Sequence, residues 1–215
     1  MRVVPAGLTL SLVAVLAVGA GVVGHRLGEG GRPTPSEFAA DPVPAVSPSY
    51  PVTPARVVPD DTYPPLERGV PLGVARLGTA PFDVQVPIPR GWVRSVPTAG
   101  EWRWYPDPEK TKNIYFVRVR QVGAAYQTVP AAVESRIVAL DNADDVDDLV
   151  VEKRAQDRFV GHYVADEHRR VAFEGYVPRG DVAYLWVAVV GREADRAGLR
   201  SLFNRMMAGT RTNLS

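Results

Sequence analysis

The side chains that most often carry out chemistry in proteins are sparse in this sequence. It contains no cysteine and three histidines: His25, His162 and His168. The absence of cysteine excludes disulfides, thiolate nucleophiles and cysteine metal sites. No His-Glu-x-x-His pattern or third ligand at metal spacing accompanies the histidines, and no Gly-x-Ser-x-Gly motif surrounds a serine. We therefore predict no metal, no cofactor and no catalytic residue that a motif defines.

One arrangement with catalytic potential stays open because it needs no motif. Asp166 and Glu167 directly precede His168, and a histidine beside carboxylates can serve general acid and base chemistry. Dispersed sites of this kind cannot be seen by motif reading, so missing motifs do not remove this alternative. An extracytoplasmic enzyme with a carboxylate and histidine site is thus the alternative to a non-catalytic protein.

Aspartates form the one concentrated polar feature of the chain. They are Asp141, Asp144, Asp145, Asp147 and Asp148. A calcium loop needs oxygen ligands at alternate positions and a glycine at the sixth. Here Ala143 occupies the third position and Val146 the sixth. We predict a solvated turn between a helix and a strand, with calcium binding of loop 141–148 as the alternative.

The composition is that of an ordinary globular protein with additional segments. The chain has 215 residues, of which 46% are hydrophobic and 23% charged, and its net charge is +1. Binding to a phosphate backbone needs a concentrated basic face, which a net charge of +1 does not supply. We therefore predict that nucleic acid is not a partner.

Residues 1–26 are predicted to anchor the protein in a membrane. Residues 3–24 carry no charged side chain, and 22 helical residues reach about 33 Å, enough to cross a hydrocarbon core of about 30 Å. A cleaved signal peptide is the alternative, although its small-residue site, Ala17-Val18-Gly19, lies inside the apolar run rather than after it. We predict a single-pass protein of the cell membrane with its C-terminal part outside the cytoplasm.

Residues 27–79 have the composition of a tether. They contain eleven prolines and show neither helical nor strand periodicity. Proline at this density removes backbone donors and fixes φ, which favours an extended chain over packed structure. We predict a disordered, proline-rich linker.

Residues 80–213 are predicted to form the folded domain. Phe82, Val84, Val86 and Ile88 alternate as in a strand, and Trp102 shares a strand face with Trp104. Two helical stripes follow, one after Thr128 as N-cap and one near the C-terminus. The second consists of Leu199, Leu202, Phe203 and Met206. Helices that follow runs of strands indicate an α+β protein with an antiparallel sheet.

The segments "FDVQVPIPRGW" and "WRWYPDP", followed by a strand, a helix, an antiparallel run and a closing amphipathic helix, resemble PsbP-like domains. Similar segments occur in actinobacterial lipoproteins of the LpqN type and in extracellular regions of receptor-type kinases. The resemblance implies an α/β/α sandwich around a central antiparallel sheet. It brings no catalytic residue, because such domains resemble binding and assembly modules.

We therefore expect an extracytoplasmic binding or assembly module with a protein or cell-envelope partner. In an ideal strand Arg103 and Tyr105 point away from Trp102 and Trp104. Since the tryptophans are large and uncharged, we place them inward. Arg103 and Tyr105 are then predicted to form an exposed patch that binds the partner.

Overall fold

Strands are the predominant secondary structure in the computed structural model, which describes residues 54–107, 109, 114–122 and 126–212. Within these residues there are ten strands, two α-helices and one short 3₁₀ turn, Glu193–Asp195. The strands are β1 (Leu72–Leu77), β2 (Val84–Pro89), β3 (Val93–Thr98), β4 (Glu101–Tyr105), β5 (Phe116–Gln121), β6 (Asp147–Arg154), β7 (Arg158–Ala165), β8 (His168–Arg179), β9 (Val182–Gly191) and β10 (Arg211–Thr212). The helices are α1 (Val129–Asp141) and α2 (Arg196–Gly209).

Seven of the strands form one antiparallel sheet in the order β3-β4-β5-β9-β8-β7-β6. At its centre, β8 and β9 are the longest strands and pair along nearly their whole length. Both are buried on each face, which is why "YLWVAVV" lacks a polar alternation. The helices cover the two faces of this sheet. Its central strands are therefore buried, while its edge strands β3 and β6 are mostly exposed.

One face of the large sheet packs against α2 and a second, three-stranded sheet of order β1-β2-β10. The stripe on α2 is buried here, as its i, i+3, i+4, i+7 spacing predicts. Trp102 and Trp104 from β4 and the valines of β5 meet this stripe in the same hydrophobic core. We refer to this side of the sheet as the α2 face.

The other face, the α1 face, packs against α1. Its apolar residues include Val133 and Leu140 from the helix and Phe159, Tyr163 and Trp186 from the sheet. Fewer large aliphatic side chains lie here, and charged side chains from several strands occupy the remaining positions. This face therefore contains the polar cavity described below.

The predicted fold class is wrong. The structure is not an α/β/α sandwich around a single sheet, because strands are its predominant secondary structure and they form two antiparallel sheets. The physical reason is that β2 does not join the large sheet. Its partners are β1, which falls within the predicted linker, and β10 at the C-terminal end of the described residues.

The linker was also predicted to extend too far along the chain. Residues 54–71, which we call the strap, run along the domain and are held by specific contacts, and β1 follows directly. The backbone N–H of Leu66 donates to Asp195 Oδ1 at 2.9 Å, and the Leu66 side chain is buried. The Arg192 guanidinium donates to the carbonyls of Asp61 and Tyr63. Prolines did prevent secondary structure here, but they did not prevent packing.

The predicted membrane anchor lies outside the described residues, as does the predicted linker before residue 54. Across the part of the chain that the structure describes, no helix is both long enough and apolar enough to span a bilayer.

Candidate functional site

A cavity of about 360 Å³ lies between α1 and the large sheet. Four arginines line it: Arg103, Arg118, Arg136 and Arg170. We call it the arginine cavity. Strand alternation brings the first two here, because Trp102 and Trp104 of β4 and Val117 and Val119 of β5 fill the α2 face. Arg136 comes from α1 and Arg170 from the start of β8.

Arg103 and Arg118 are direct register partners across β4 and β5. Like charges placed opposite each other destabilise a sheet. Here the buried carboxylate of Glu101 lies between the two guanidiniums. Arg103 Nε donates to Glu101 Oε1 at 2.9 Å, and Arg118 Nη2 donates to Oε2 at 2.8 Å. Burial alone would raise the pKa of Glu101, but the hydrogen bonds from Arg118 and Arg103 outweigh it and lower the pKa. Glu101 therefore holds the two guanidiniums side by side.

Arg136 is fixed by a second buried carboxylate. Its Nε and Nη2 atoms donate to Glu174 at 2.7 and 3.2 Å, and Trp186 Nε1 donates to the same carboxylate at 2.9 Å. Glu174 is fully buried. The guanidiniums of Arg136 and Arg118 lie 4.7 and 4.9 Å from the centre of the Trp186 ring, within range of cation–π attraction. Burial lowers and Glu174 raises the pKa of Arg136, with a net increase, so this charge is permanent.

The inner part of the cavity has an excess of positive charge. Three guanidiniums, those of Arg103, Arg118 and Arg136, share the two carboxylates of Glu101 and Glu174, so these five groups carry a net charge of +1. Arg170 is separately paired, with Nη1 donating to Asp60 Oδ1 at 2.7 Å. The Nε atom of Arg118 is buried and has no acceptor among the described residues. Uncompensated charge and an unmet donor are costly inside a protein, and an anion in the cavity would relieve the charge.

Two tyrosines add hydroxyl groups to the lining, Tyr105 and Tyr163. Burial, followed by the charge of Glu174, raises the pKa of Tyr163 above its ordinary value. The neighbouring Tyr176 has its pKa raised to about 12 for the same two reasons. The phenols of Tyr163 and Tyr176 are therefore neutral at physiological pH, where they can donate hydrogen bonds but do not act as bases.

Carboxylates lie at the solvent side of the same cavity. Asp145, in the turn after α1, and Asp166, between β7 and β8, both line it and are exposed. The aspartate-rich turn is thus a solvated connection between α1 and β6, as predicted. Among the residues described, no three histidine or acidic side chains come together as a metal site.

The predicted patch of Arg103 and Tyr105 is not an exposed surface. Tyr105 is buried and its ring lies 5.8 Å from that of Phe116, while Arg103 is half-buried against Glu101. The faces of β4 were assigned correctly, with Trp102 and Trp104 in the core. The predicted exposure of Arg103 and Tyr105 was wrong because α1 packs on the face of the large sheet to which they point. Both residues line the arginine cavity, and their role in partner binding stays a prediction.

The residues of the predicted carboxylate and histidine site lie in a turn and against the strap. Asp166 and Glu167 form the tight turn between β7 and β8, with φ of 50° and 62°. His168 Nδ1 lies 3.1 Å from the carbonyl oxygen of Val58 and 3.3 Å from Asp60. Glu167 pairs with Arg56 and its carbonyl accepts from the Val58 N–H. Glu167 and His168 therefore hold the strap. His162 lies apart from them, against Glu152.

Sequence reasoning missed Arg118, Arg136 and Arg170 together with the two buried glutamates. A signal for two of them was present. Arg118 alternates with Val117 and Val119, which places it on the face opposite those valines, and Arg136 falls three residues after Val133 within a buried helical stripe. A charged residue at a core position is a reason to look for a site. Which strands would lie side by side could not be read from the sequence.

No protein-family model matches the chain, and no curated protein matches it in sequence. One solved structure that is similar is the crystal structure of LpqN, a protein involved in cell envelope biogenesis of Mycobacterium tuberculosis. It shares 13% identity with a TM-score of 0.38, covering 66% of this chain and 92% of that one. The likeness is to a protein of the LpqN type, whereas the PsbP-like assignment has no support from the family comparison. Values this low assign neither fold nor function.

Proposed function

We propose that the protein is a non-catalytic binding module held on the outer side of the cell membrane, and that the arginine cavity is its binding site for an anionic group. In this proposal residues 1–26 form the anchor and the described domain faces the cell envelope. The uncharged segment at residues 3–24 supports the anchor. The cavity supports the binding role.

The net positive charge at the inner part of the arginine cavity is the observation that carries the proposal. Arginine recognises carboxylate and phosphate groups through its planar set of donors. Arg103, Arg118 and Arg136 are held in place by Glu101 and Glu174, so little ordering is left to be done when a ligand arrives. A ligand that meets an already ordered site loses less conformational entropy on binding. A volume of about 360 Å³ is at the small end of ligand pockets.

The cavity lining supports binding more than catalysis. Its titratable groups are paired arginines, tyrosines and two exposed aspartates. No histidine, serine or lysine is among the described residues that line it. The alternative of an enzyme built on His168 is not proposed, since that residue contacts the strap.

Thermal unfolding with a simple carboxylate tests the binding role. Propionate should raise the melting temperature of the full-length chain in detergent relative to sodium chloride at equal ionic strength. A ligand at about one hundred times its Kd stabilises the folded state by about 2.7 kcal/mol. The double variant R103Q/R118Q should lose this increase, because both guanidiniums are gone.

The matched control is R200Q, which removes an exposed arginine from α2, outside the cavity. It should keep the full increase. The same increase in R103Q/R118Q as in the wild type, or no increase in the wild type, would contradict the proposed site.

The location is tested separately. Protease added to intact spheroplasts should release a soluble fragment cut before residue 54, while a cytoplasmic marker stays intact. Protection of the domain until the membrane is lysed would contradict an extracytoplasmic position.

A further inference from the structure

The arginine cavity has opposite charges at its two ends. Arg118 and Arg136 are about three-quarters buried at the inner end, with side-chain exposures of 26% and 24%. Asp145 and Asp166 are exposed at the outer end and line the same cavity. Neither aspartate forms an ion pair with any residue that the structure describes. The cavity therefore offers cations inside and carboxylates at its mouth.

We propose that the ligand is a small zwitterion of the amino acid or short-peptide class. Its carboxylate would lie at Arg103, Arg118 and Arg136, and its ammonium group at Asp145 and Asp166. This inference rests on the proposed function, in which the cavity binds an anionic group. It adds that the ligand also carries an ammonium group and that it is small.

The charge distribution selects this class over a polyanion. At the inner end, Arg103, Arg118 and Arg136 with Glu101 and Glu174 carry a net charge of +1, which matches one carboxylate. Any further negative charge on the ligand would meet Asp145 and Asp166 at the mouth, where the neighbouring aspartates of the 141–148 turn strengthen the negative potential. A phosphate-rich or nucleic acid ligand is thus disfavoured by the same residues that favour an ammonium group.

The lining also includes apolar side chains. They are Phe116, Leu140, Val146 and Val190. Such a wall suits the aliphatic side chain of an amino acid or dipeptide, whose burial adds to the affinity. About 360 Å³ leaves room for a small molecule and excludes a folded partner, whose contact would be with the rim alone.

Isothermal titration calorimetry of the full-length chain in detergent, with three related dipeptides, tests the proposal. The probes are alanyl-leucine, its N-acetyl derivative without the ammonium group, and its C-terminal amide without the carboxylate. Hydrogen bonds to charged groups contribute enough that losing either set should weaken binding by about 10-fold or more. We expect alanyl-leucine to bind tightest and the amide weakest.

Two variants assign the ends of the ligand to the ends of the cavity. R118Q should weaken the binding of alanyl-leucine and of the N-acetyl derivative to the same extent. D166N should weaken the binding of alanyl-leucine by about 10-fold and leave the affinity for the N-acetyl derivative unchanged. Asparagine tolerates the positive φ of residue 166, so the turn is kept. R200Q is the control and should change nothing.

The outcomes separate this inference from the proposed function. If the N-acetyl derivative binds as tightly as alanyl-leucine, and D166N has no effect on either affinity, the zwitterionic ligand is wrong while anion binding stands. If none of the three dipeptides binds while propionate still raises the melting temperature, the inference is wrong and the anion site stands. If the amide binds as well as alanyl-leucine and propionate has no effect, both the inference and the proposed anion site are overturned.

Discussion

The two faces of the large sheet come from the same strands but are built in different ways. The α2 face is lined by valines, leucines, phenylalanines and two tryptophans, all buried against α2 and the small sheet. On the α1 face, the same strands contribute Glu101, Arg103, Arg118 and Glu174. Apolar burial stabilises a fold at about 25 cal/mol per Å², whereas buried ion pairs contribute little net stability. We infer from this difference that the α2 face contributes most of the stability and that the α1 face is suited to the proposed binding site.

The α2 face should show the largest loss of stability. Phe203 is 1% exposed and contacts Phe173, so F203A should lower the free energy of unfolding by about 3–5 kcal/mol, measured by urea denaturation. F82A removes the same side chain from an exposed position and is the control. An F203A loss no larger than that of F82A would show that α2 is peripheral.

A single change on the α1 face should also be costly, but for an electrostatic reason. E174Q keeps an acceptor for Trp186 Nε1 and leaves Arg136 without its counterion. We expect a loss of about 3 kcal/mol in the same denaturation experiment. E109Q, at an exposed glutamate, is the control. A loss below that of an ordinary surface change would mean that Arg136 is compensated by another group.

The two faces also differ in how well the sequence predicts them. The α2 stripe and the inward tryptophans were predictable, because each is a periodic pattern within a single element. The arginine cavity was not, because it needs β4, β5, β9 and β8 side by side, and that order is set by long-range pairing. The strap was missed for another reason. Its fixation by Arg192 and Asp195 involves single contacts between residues far apart in the chain, which leave no local pattern.

The strap lies against α2 and should respond to a change there. A Cβ added at Gly198 would lie 2.1 Å from the carbonyl oxygen of Leu66, so G198A must displace the strap. We expect a loss of about 1–3 kcal/mol and faster protease cleavage between residues 54 and 71. S201A on the same helix should leave cleavage unchanged. Equal cleavage in G198A would show that the strap contact is not maintained in solution.

The smallest expected effect is a pH dependence at the edge of the α2 face. Hydrogen bonds from Arg196 and then His162 lower the pKa of Glu152 to about 2. A lowered pKa in the folded state means that the stabilisation is complete above the unfolded pKa of about 4.3 and is lost as the pH falls toward about 2. E152Q should therefore lose less stability than the wild type over this range, measured by denaturation at each pH. The same dependence of stability on pH in E152Q and in the wild type would show that the Glu152–Arg196 pair contributes nothing to stability.

The double variant R136M/E174Q, measured for both stability and binding, separates the two roles within one protein. It removes the buried pair while keeping an acceptor for Trp186. Replacing both charges of a buried pair is often neutral for stability, so we predict a free energy of unfolding within about 1 kcal/mol of the wild type. The propionate-dependent increase in melting temperature should be smaller, because the donors of Arg136 are gone while Arg103, Arg118 and Glu101 remain. A variant that is as stable as the wild type and still responds fully to propionate would contradict the claim that the charges of the α1 face serve binding.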